Sequence, residues 1–403
     1  MTLAETPLLL MLLGVTAYAV LGGADFGAAF WQLGARNAAL REHAYRSMGP
    51  VWEANHVWLV FVLVICWTAY PQAFASIFST LTVPLFVAGL GVILRGAAYA
   101  VHAGTARELE RRAVDAVFSL SSILTPFALG TVVGAVASGR VPVGNARGDL
   151  VSSWLNPSSV AVGVLAVATG AYVAAVYLAG DAQRSGLDRV AAAYRTRALV
   201  AGVATGTIAL VALAVVAADA GRVGERLLAL PALGSVVLSV LAGLTTLELV
   251  RRARFEAARY GASAAVGLVV VGWGLAQRPE LLPGLTVEEA AAGRATLLAT
   301  VLGVAAGAFV LVPSLTLLFG LVLRGRFDGT AAPAVAAARG DAAPGRLLGR
   351  VALVLGGLGV PLTLLVESGP LLGAGVVLLL GSVALAWIAF VAVAAVDPDD
   401  GPP

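Results

Sequence analysis

The stretch GPVWEANHVWLVFVLVICWTAYP, residues 49–71, carries both signals on which this sequence depends. It begins with an acid, an amide and an imidazole between tryptophans, and then stays apolar for long enough to cross a membrane. Polar groups cost free energy in hydrocarbon and are rarely kept there without a use. We therefore predict a membrane-spanning helix whose first turns belong to a candidate functional site.

The composition predicts an all-α integral membrane protein with about 11 transmembrane helices. Of 403 residues, 59% are apolar and 12% are charged, whereas a soluble domain has about 25% charged residues. Apolar windows near the length of a membrane-spanning helix, about 20 residues, recur along the chain. They are Pro7–Leu33, Val51–Ala69, Ala73–His102, Val114–Val136, Ser158–Ala179, Ala191–Ala218, Leu227–Val250, Tyr260–Leu275, Arg294–Leu323, Leu347–Glu367 and Leu371–Val396.

The arginines predict the orientation in the membrane. The chain has no lysine. Of its 26 basic residues, 19 lie in or beside the connections that follow odd-numbered windows, six lie in those that follow even-numbered windows, and Arg95 lies inside the third window. Because basic residues favour the cytoplasmic side, we expect the N-terminus outside and the C-terminus inside. The first window exceeds a signal core and follows no basic segment, so we expect it to stay. The formal charge of +3 makes nucleic acid an unexpected partner.

Asp25, Glu53 and Arg95 fall inside the windows, toward their predicted cytoplasmic ends. A charge near the bilayer centre costs about 3 kcal/mol on insertion scales, so we expect these groups to face the protein interior or a wet crevice. Asp25 and Glu53, with Arg95 as counter-charge and His56 one turn from Glu53, are candidates for a proton path from the cytoplasm. A salt bridge that only fixes the bundle, or a shallow solvated position, explains the same residues.

Ligands for a metal are scarce in this chain. It has three histidines (His43, His56 and His102), three methionines and one cysteine. Haem iron needs axial His, Met or Cys, so we expect this chain to hold no haem and no other metal. A single cysteine also excludes an internal disulfide. We interpret His56 as a hydrogen-bonding group at a helix end and His43 as a loop residue.

Four pieces near the N-terminus together resemble one protein family. In chain order they are LGGADFGAAFW (21–31), MGPVWEANHVWLV (48–60), YPQAF (70–74) and ILRGAAYAVH (93–102). Their order and spacing look like subunit II of the cytochrome bd quinol oxidases. Looser similarity in ATGAYVAAVYLAGD (168–181) and FVLVPSLTLLFGLVLRGRF (309–327) extends the resemblance to about residues 3–327.

The resemblance implies a subunit of a respiratory complex in the bacterial plasma membrane that oxidises quinol and reduces oxygen to water. A homologous subunit I would complete the heterodimer and would hold haem b, haem d and the quinol-oxidation site, so no catalytic residue is expected in this chain. An oxygen route through the apolar helices is implied, and a structural quinone or a small accessory subunit is compatible with it. The implied proton path is Asp25 and Glu53, and the supporting residues are Trp52, Asn55, His56, Trp58 and Arg95.

The family is typically built from two four-helix bundles and one further helix, which predicts how this chain is divided. Residues 1–140 would form the first bundle with the polar motifs, 150–276 the second bundle, and 294–326 the ninth helix. A flexible cytoplasmic loop at 327–346 would lead to an extra two-helix hairpin and acidic tail at 347–403. This extension departs from the family, as does Glu53, which stands where aspartate is more common.

Two other classes of protein explain the same sequence. A secondary transporter also uses glycine-interrupted helices with acids near the midplane, and a purely structural membrane subunit needs no reactive group at all. A trace of internal repeat is compatible with a duplicated scaffold: GADFGAAF (23–30) can be laid over GAYVAAVY (170–177), which puts Tyr172 opposite Asp25.

Overall fold

The structure is a computed structural model that describes residues 2–33, 37–48, 52–102, 108–323, 343–365 and 370–394. The chain divides into two compact units, Met1–Phe309 and Val310–Pro403. Apart from one short hairpin of two strands, the regular elements of the described residues are helices.

The first unit begins with helices that surround the polar motifs. They are α1 (Glu5–Ala17), a π-helical turn (Tyr18–Gly22), α2 (Gly23–Leu33), α3 (Ala38–Met48), α4 (Trp52–Ala69), α5 (Pro71–Thr80), α6 (Thr82–His102) and α7 (Glu108–Ala137).

The chain continues through a second set of long helices. They are α8 (Pro157–Arg184), α9 (Asp188–Asp219), α10 (Gly221–Leu227), α11 (Ala232–Arg251) and α12 (Phe255–Gln277). Strands β1 (Glu280–Leu282) and β2 (Leu285–Thr286) pair antiparallel and lead into α13 (Val287–Ala290). The last helices are α14 (Arg294–Leu323), which begins in the first unit, and α15 (Ala343–Leu365) and α16 (Pro370–Ala394) of the second.

Eight helices of the described residues are long and apolar enough to cross a membrane, and three further apolar helices are shorter. The chain is therefore a membrane-embedded helical protein, as its composition predicts. The count of eleven spanning helices stays a prediction.

The third predicted window, Ala73–His102, is not one helix, and the expectation of a continuous helix there was wrong. The structure breaks it at Leu81, between α5 and α6. Pro84 explains the break, because it has no N–H for the carbonyl of Thr80 and its ring crowds the preceding turn.

Helix neighbours within the first unit place α2 at its centre. Helix α1 packs on α4, α6 packs on α7, and α2 packs on both α7 and α8. Helix α8 also packs on α9, and α11 packs on α12. At the crossing of α2 and α8, a Cβ atom added to Gly27 would lie 1.9 Å from the carbonyl oxygen of Gly170, so only glycine fits. The finer division into bundles at 1–140 and 150–276 stays a prediction.

In the second unit, α15 and α16 pack against each other through small residues. Cβ atoms added to Gly359 or Gly375 would meet the opposite helix at 2.9 and 2.8 Å, and Ser382 donates its hydroxyl to the carbonyl of Ala352 across 2.7 Å. Most of the predicted loop 327–346 and the acidic tail lie outside the described residues, while α15 begins at Ala343.

Candidate functional site

A buried ion pair joins α2 to α6. Arg95 Nη2 lies 2.5 Å from Asp25 Oδ1, and only 1% of the arginine side chain and 4% of the aspartate side chain are exposed. The same nitrogen also lies 3.4 Å from the main-chain carbonyl of Asp25. The structure therefore brings together two of the predicted site residues. Both side chains are buried, so each charge would be strongly destabilised without its partner.

Helix α7 completes the surroundings of the guanidinium. Arg95 Nη1 donates to Ser122 Oγ across 2.5 Å, and that hydroxyl donates to the carbonyl of Phe118 across 2.6 Å. The guanidinium carbon also lies 4.7 Å from the ring centres of both Phe26 and Phe118, so Arg95 is held between two aromatic rings. These contacts fix the cation in position and orientation.

The π-helical turn ends just before Asp25 on the chain. A π-turn inserts an extra residue into a helix and often occurs at functional sites. Asn55 of α4 is 2% exposed, and its amide donates to the main-chain carbonyl of Leu21 in that turn across 3.1 Å. At Gly22, an added Cβ would lie 3.1 Å from the ring of Tyr18, so glycine leaves room for that ring.

Three rings cover the site on the side of α4. Tyr18, Phe26 and His56 lie with their ring centres 6.1–6.3 Å apart. His56 thus lies on α4 in contact with rings from the π-turn and α2. This cluster adjoins the ion pair, because the Phe26 ring also contacts the Arg95 guanidinium.

The remaining predicted residues fall into two groups. The side chains of Trp52 and Glu53 lie outside the described part of the chain, so the proposed partnership of Glu53 with Asp25 stays a prediction. Trp58 packs edge-on against Phe61 of its own helix, with ring centres 6.1 Å apart. No contact described by the structure links Trp58 to the ion pair.

His43 was wrongly interpreted as a loop residue. It lies in α3, is 9% exposed, and its Nε2 donates to the carbonyl of Leu178 across 3.0 Å. Helix α3 is amphipathic, with one buried side and one exposed side. The charged residues of the exposed side made 38–48 look like a loop in the sequence. His43 therefore ties α3 to α8.

The sequence reading missed Ser122, Phe118 and the π-turn. A signal for Ser122 was present, because the run SLSSILT (119–125) puts four hydroxyls into an otherwise apolar window. Phe118 gave no such signal, since an aromatic residue in an apolar window is ordinary.

Only one of the two carboxylate oxygens of Asp25 is paired with Arg95. Oδ1 faces Arg95, whereas Oδ2 is buried and has no hydrogen-bond partner among the residues that the structure describes. A carboxylate oxygen without a donor can accept a proton directly or through water. The contacts of Arg95 to Ser122 and to the two rings do not involve the Asp25 carboxylate.

Polar residues continue from Arg95 toward the predicted cytoplasmic end. Tyr99 lies one turn further along α6 and stacks on Tyr45 of α3 with ring centres 5.8 Å apart. Burial raises the pKa of the Tyr45 phenol, and the neighbouring groups Tyr99, Asp115 and Glu42 raise it further. Tyr45 therefore stays protonated at neutral pH and can both donate and accept a hydrogen bond.

The described residues offer no metal centre. Among them, no group of three or more His, Cys, Asp or Glu side chains could hold a metal ion. His43 uses its ring to bind a carbonyl, and His56 lies between aromatic rings. The described residues therefore contain no cluster of ligands for a metal ion, and no step of haem chemistry is assigned to them.

Fold and site together define a helical membrane protein that crosses the bilayer several times and buries a carboxylate–guanidinium pair among its N-terminal helices. This chain belongs to the cytochrome bd terminal oxidase subunit II family, whose model matches residues 3–322. The resemblance stated from the N-terminal motifs is thereby confirmed.

Individual relatives agree with the family. A Bacillus subtilis (strain 168) protein provisionally named cytochrome bd menaquinol oxidase subunit II is 24% identical over 193 residues, 47% of this chain and 55% of that protein. Cytochrome bd ubiquinol oxidase subunit 2 of the same strain is 27% identical over 148 residues, 36% and 43% of the two chains. The chain thus matches about half the length of these relatives.

A solved structure extends the similarity to the fold. A chain in the structure of the bd oxidase from Geobacillus thermodenitrificans is 25% identical, and the match covers 80% of this chain and 99% of that one with a TM-score of 0.68.

Proposed function

We propose that this chain is subunit II of a cytochrome bd quinol oxidase that reduces oxygen to water. In this proposal it pairs with a haem-bearing subunit I in a bacterial plasma membrane and delivers protons from the cytoplasm through Asp25. The proposal rests on family membership, and the observation that carries the proton role is the buried pair of Asp25 and Arg95.

The electrostatics of the pair support a proton relay. A lone carboxylate at this depth would be strongly destabilised, and Arg95 offsets that cost while it leaves Oδ2 of Asp25 without a donor among the described residues. When Asp25 takes up a proton, the guanidinium keeps its bond to Ser122 and its contacts with both rings. The carboxylate can therefore gain and lose a proton without a change in the position of the helices.

The cytoplasmic approach has two candidate branches. Glu53, at the start of α4, is the acid that the resemblance to the family assigns to the proton path. Tyr99 and Tyr45, with Asp115 and Glu42 nearby, extend the polar groups from Arg95 along α6 and α3. Both branches begin at helix ends that the arginine distribution assigns to the cytoplasm.

The other parts of the proposal are coarser. The two Bacillus relatives are named for different quinols, so the substrate is proposed only as a quinol. Small apolar side chains such as Ala174, Ala175 and Ala179 fill the centre of the first unit, which is compatible with an oxygen route. Haem b and haem d are assigned to subunit I, where they would carry out the electron transfer to oxygen.

The test uses this chain purified in complex with the proposed subunit I. The unmodified complex should show the bands of haem b and haem d in a reduced-minus-oxidised spectrum and should consume oxygen with quinol. Asp25→Asn should slow oxygen consumption at least tenfold and leave the haem spectrum in place. Asp25→Glu, which keeps the charge, should recover most of the rate, and Asp188→Asn at the exposed start of α9 serves as control.

The alternatives give different results. A colourless protein that purifies alone and moves a solute into vesicles would be a secondary transporter. Unchanged turnover in Asp25→Asn and Glu53→Gln, with haems present, would leave the chain a purely structural subunit.

A further inference from the structure

Arg197 is an arginine within a membrane-spanning helix that lies away from the Asp25 site. Arg197 of α9 is nine residues from the helix start at Asp188, or about 14 Å along the axis at 1.5 Å per residue. Its guanidinium carbon lies 5.6 Å from the ring centre of Trp31 and 5.1 Å from that of Tyr194. Cation–π contacts on two rings hold the group at one place.

The two rings are anchored without the help of Arg197. Trp31 Nε1 donates to the carbonyl of Ala171 across 2.7 Å, and the Tyr194 hydroxyl donates to the carbonyl of Leu40 across 2.9 Å. Tyr194 is fully buried. The clamp around the guanidinium is therefore part of the packing of α2, α3, α8 and α9.

The clamped guanidinium has no acceptor among the described residues. Arg197 is half-buried, and its Nη1 is buried without a hydrogen-bond partner in the part of the chain that the structure describes. Two residues earlier, Arg195 donates to the carbonyls of Val250 and Arg251 at the end of α11. A guanidinium carries five N–H donors, and leaving them unpaired away from water is costly. The other two nitrogens of Arg197, Nε and Nη2, are not among the buried unpaired atoms, so an anion from outside the chain can reach them.

An apolar strip runs along α9 from Arg197. Val200 and Val211 follow within about 60° of Arg197 around the helix, at 3.6 residues per turn, and are 64% and 57% exposed. These aliphatic side chains offer hydrocarbon contacts and no hydrogen bonds. An occupant of both the clamp and the strip needs an anionic head and an apolar chain of roughly 20 Å, since 197–211 spans fourteen residues at 1.5 Å each.

We propose that Arg197 binds the phosphate of an anionic phospholipid whose acyl chain lies along Val200 and Val211. The arginine distribution assigns the start of α9 to the cytoplasmic side, where anionic lipids and basic groups between helices meet. The guanidinium matches phosphate oxygens in pairs, and the strip matches the acyl chain. The site is independent of the Asp25–Arg95 pair.

The test is thermal unfolding of the purified, delipidated complex with added phosphatidylglycerol, phosphatidylcholine or inorganic phosphate. Phosphatidylglycerol should raise the Tm of the unmodified complex more than phosphatidylcholine does, because a ligand of the native state stabilises it by mass action. Arg197→Gln should lose that difference. Arg189→Gln, which removes an equal charge from an exposed position of the same helix, should keep it.

Native mass spectrometry gives a second measurement of the same site. The Arg197→Gln complex should retain one phosphatidylglycerol fewer than the Arg189→Gln complex. If the Arg197→Gln protein does not accumulate, Arg197→Lys provides the test, because it keeps the charge but not the paired hydrogen bonds and should weaken retention.

Three outcomes would overturn the proposal. The first is equal lipid retention and equal Tm shifts in the Arg197 and Arg189 variants. The second is a Tm shift of the same size with inorganic phosphate alone, since the strip would then contribute nothing. The third is loss of the companion chain from Arg197→Gln with lipid retention unchanged, which would assign the guanidinium to a carboxylate of that chain.

Discussion

Asn55 of α4 donates its side-chain amide to the main-chain carbonyl of Leu21, inside the π-helical turn that precedes Asp25. The bond is 3.1 Å long and Asn55 is 2% exposed. A π-turn leaves main-chain carbonyls without their usual helical donors, so a neighbouring helix must supply one. Asn55 therefore connects the motif in α4 to the position of the aspartate in α2.

Asn55→Asp should destabilise the complex by about 1–3 kcal/mol, because a carboxylate cannot donate to the Leu21 carbonyl and leaves it unpaired. The measurement is the Tm of the purified complex. Asn37→Asp is the matched control, since Asn37 uses its side-chain oxygen to accept from Ala39 N and an aspartate keeps that bond. Equal Tm values for the two variants would show that the Asn55 amide does not hold the turn.

The ion pair itself can be tested with a double-mutant cycle. Asp25→Asn or Arg95→Met alone should cost about 3–5 kcal/mol of unfolding free energy, since each leaves a buried charge without its partner. The double variant should cost less than the sum of the two. Denaturant unfolding gives the unfolding free energy of the unmodified complex, the two single variants and the double variant.

An exposed pair provides the comparison for that cycle. Arg184 and Glu256 lie in contact with 50% and 58% of their side chains exposed. Removing either should change stability by about 0–1 kcal/mol. Additive costs at Asp25 and Arg95 would contradict their coupling.

The sequence predicted the membrane class and part of the site, because hydropathy and charge placement depend on the solvent more than on tertiary contacts. Arg95 could be named as a counter-charge for Asp25 because an unpaired charge is costly in hydrocarbon. The N-terminal motifs also pointed to the correct family.

Features set by packing between helices could not be predicted in the same way. The π-turn of Tyr18–Gly22 has an ordinary apolar sequence, and its stabilising donor Asn55 is 34 residues away from Leu21. His43 looked like a loop residue because its partner, the carbonyl of Leu178, comes from a helix 135 residues later. The break at Leu81 was predictable from Pro84, but a long apolar window concealed it.

A pH-dependent cap lies at the start of α13. Glu289 accepts from the main-chain N–H and the hydroxyl of Thr286, across 2.9 and 2.8 Å, and these bonds lower the pKa of its carboxyl below the ordinary value of 4.5. A lowered pKa in the folded state stabilises the fold above pH 4.5 and loses that effect as the pH falls through the lowered value. Hydrogen-exchange protection of Val287–Ala290 should therefore decrease below pH 4.5.

Glu289→Gln separates titration from capping. Glutamine can still accept from Thr286 and complete the capping box, but it does not titrate. Protection in this variant should stay constant over the same pH range. A decrease equal to that of the unmodified protein would assign the effect to other groups.

Gly27 and Gly170 meet where α2 crosses α8. These are the two helices that contain the aligned segments 23–30 and 170–177 of the internal repeat. In that overlay Gly23 is equivalent to Gly170, and the two lie in contact: a Cβ atom added to Gly23 would be 3.6 Å from the Cα atom of Gly170. Equivalent residues that touch are expected near an axis relating two halves. There is less room at Gly27, where the added Cβ would lie 1.9 Å from the Gly170 oxygen.

Gly27→Ala should destabilise the complex by about 1–3 kcal/mol, because its methyl group would lie 1.9 Å from the Gly170 oxygen and the helices would have to move apart. Gly206→Ala in α9 is the control, since no atom lies within 4 Å of the added Cβ, and it should stabilise slightly because alanine favours a helix. Tm values of the two purified variants provide the measurement. A Gly27→Ala complex as stable as the Gly206→Ala complex would mean that α2 and α8 do not approach as closely as described.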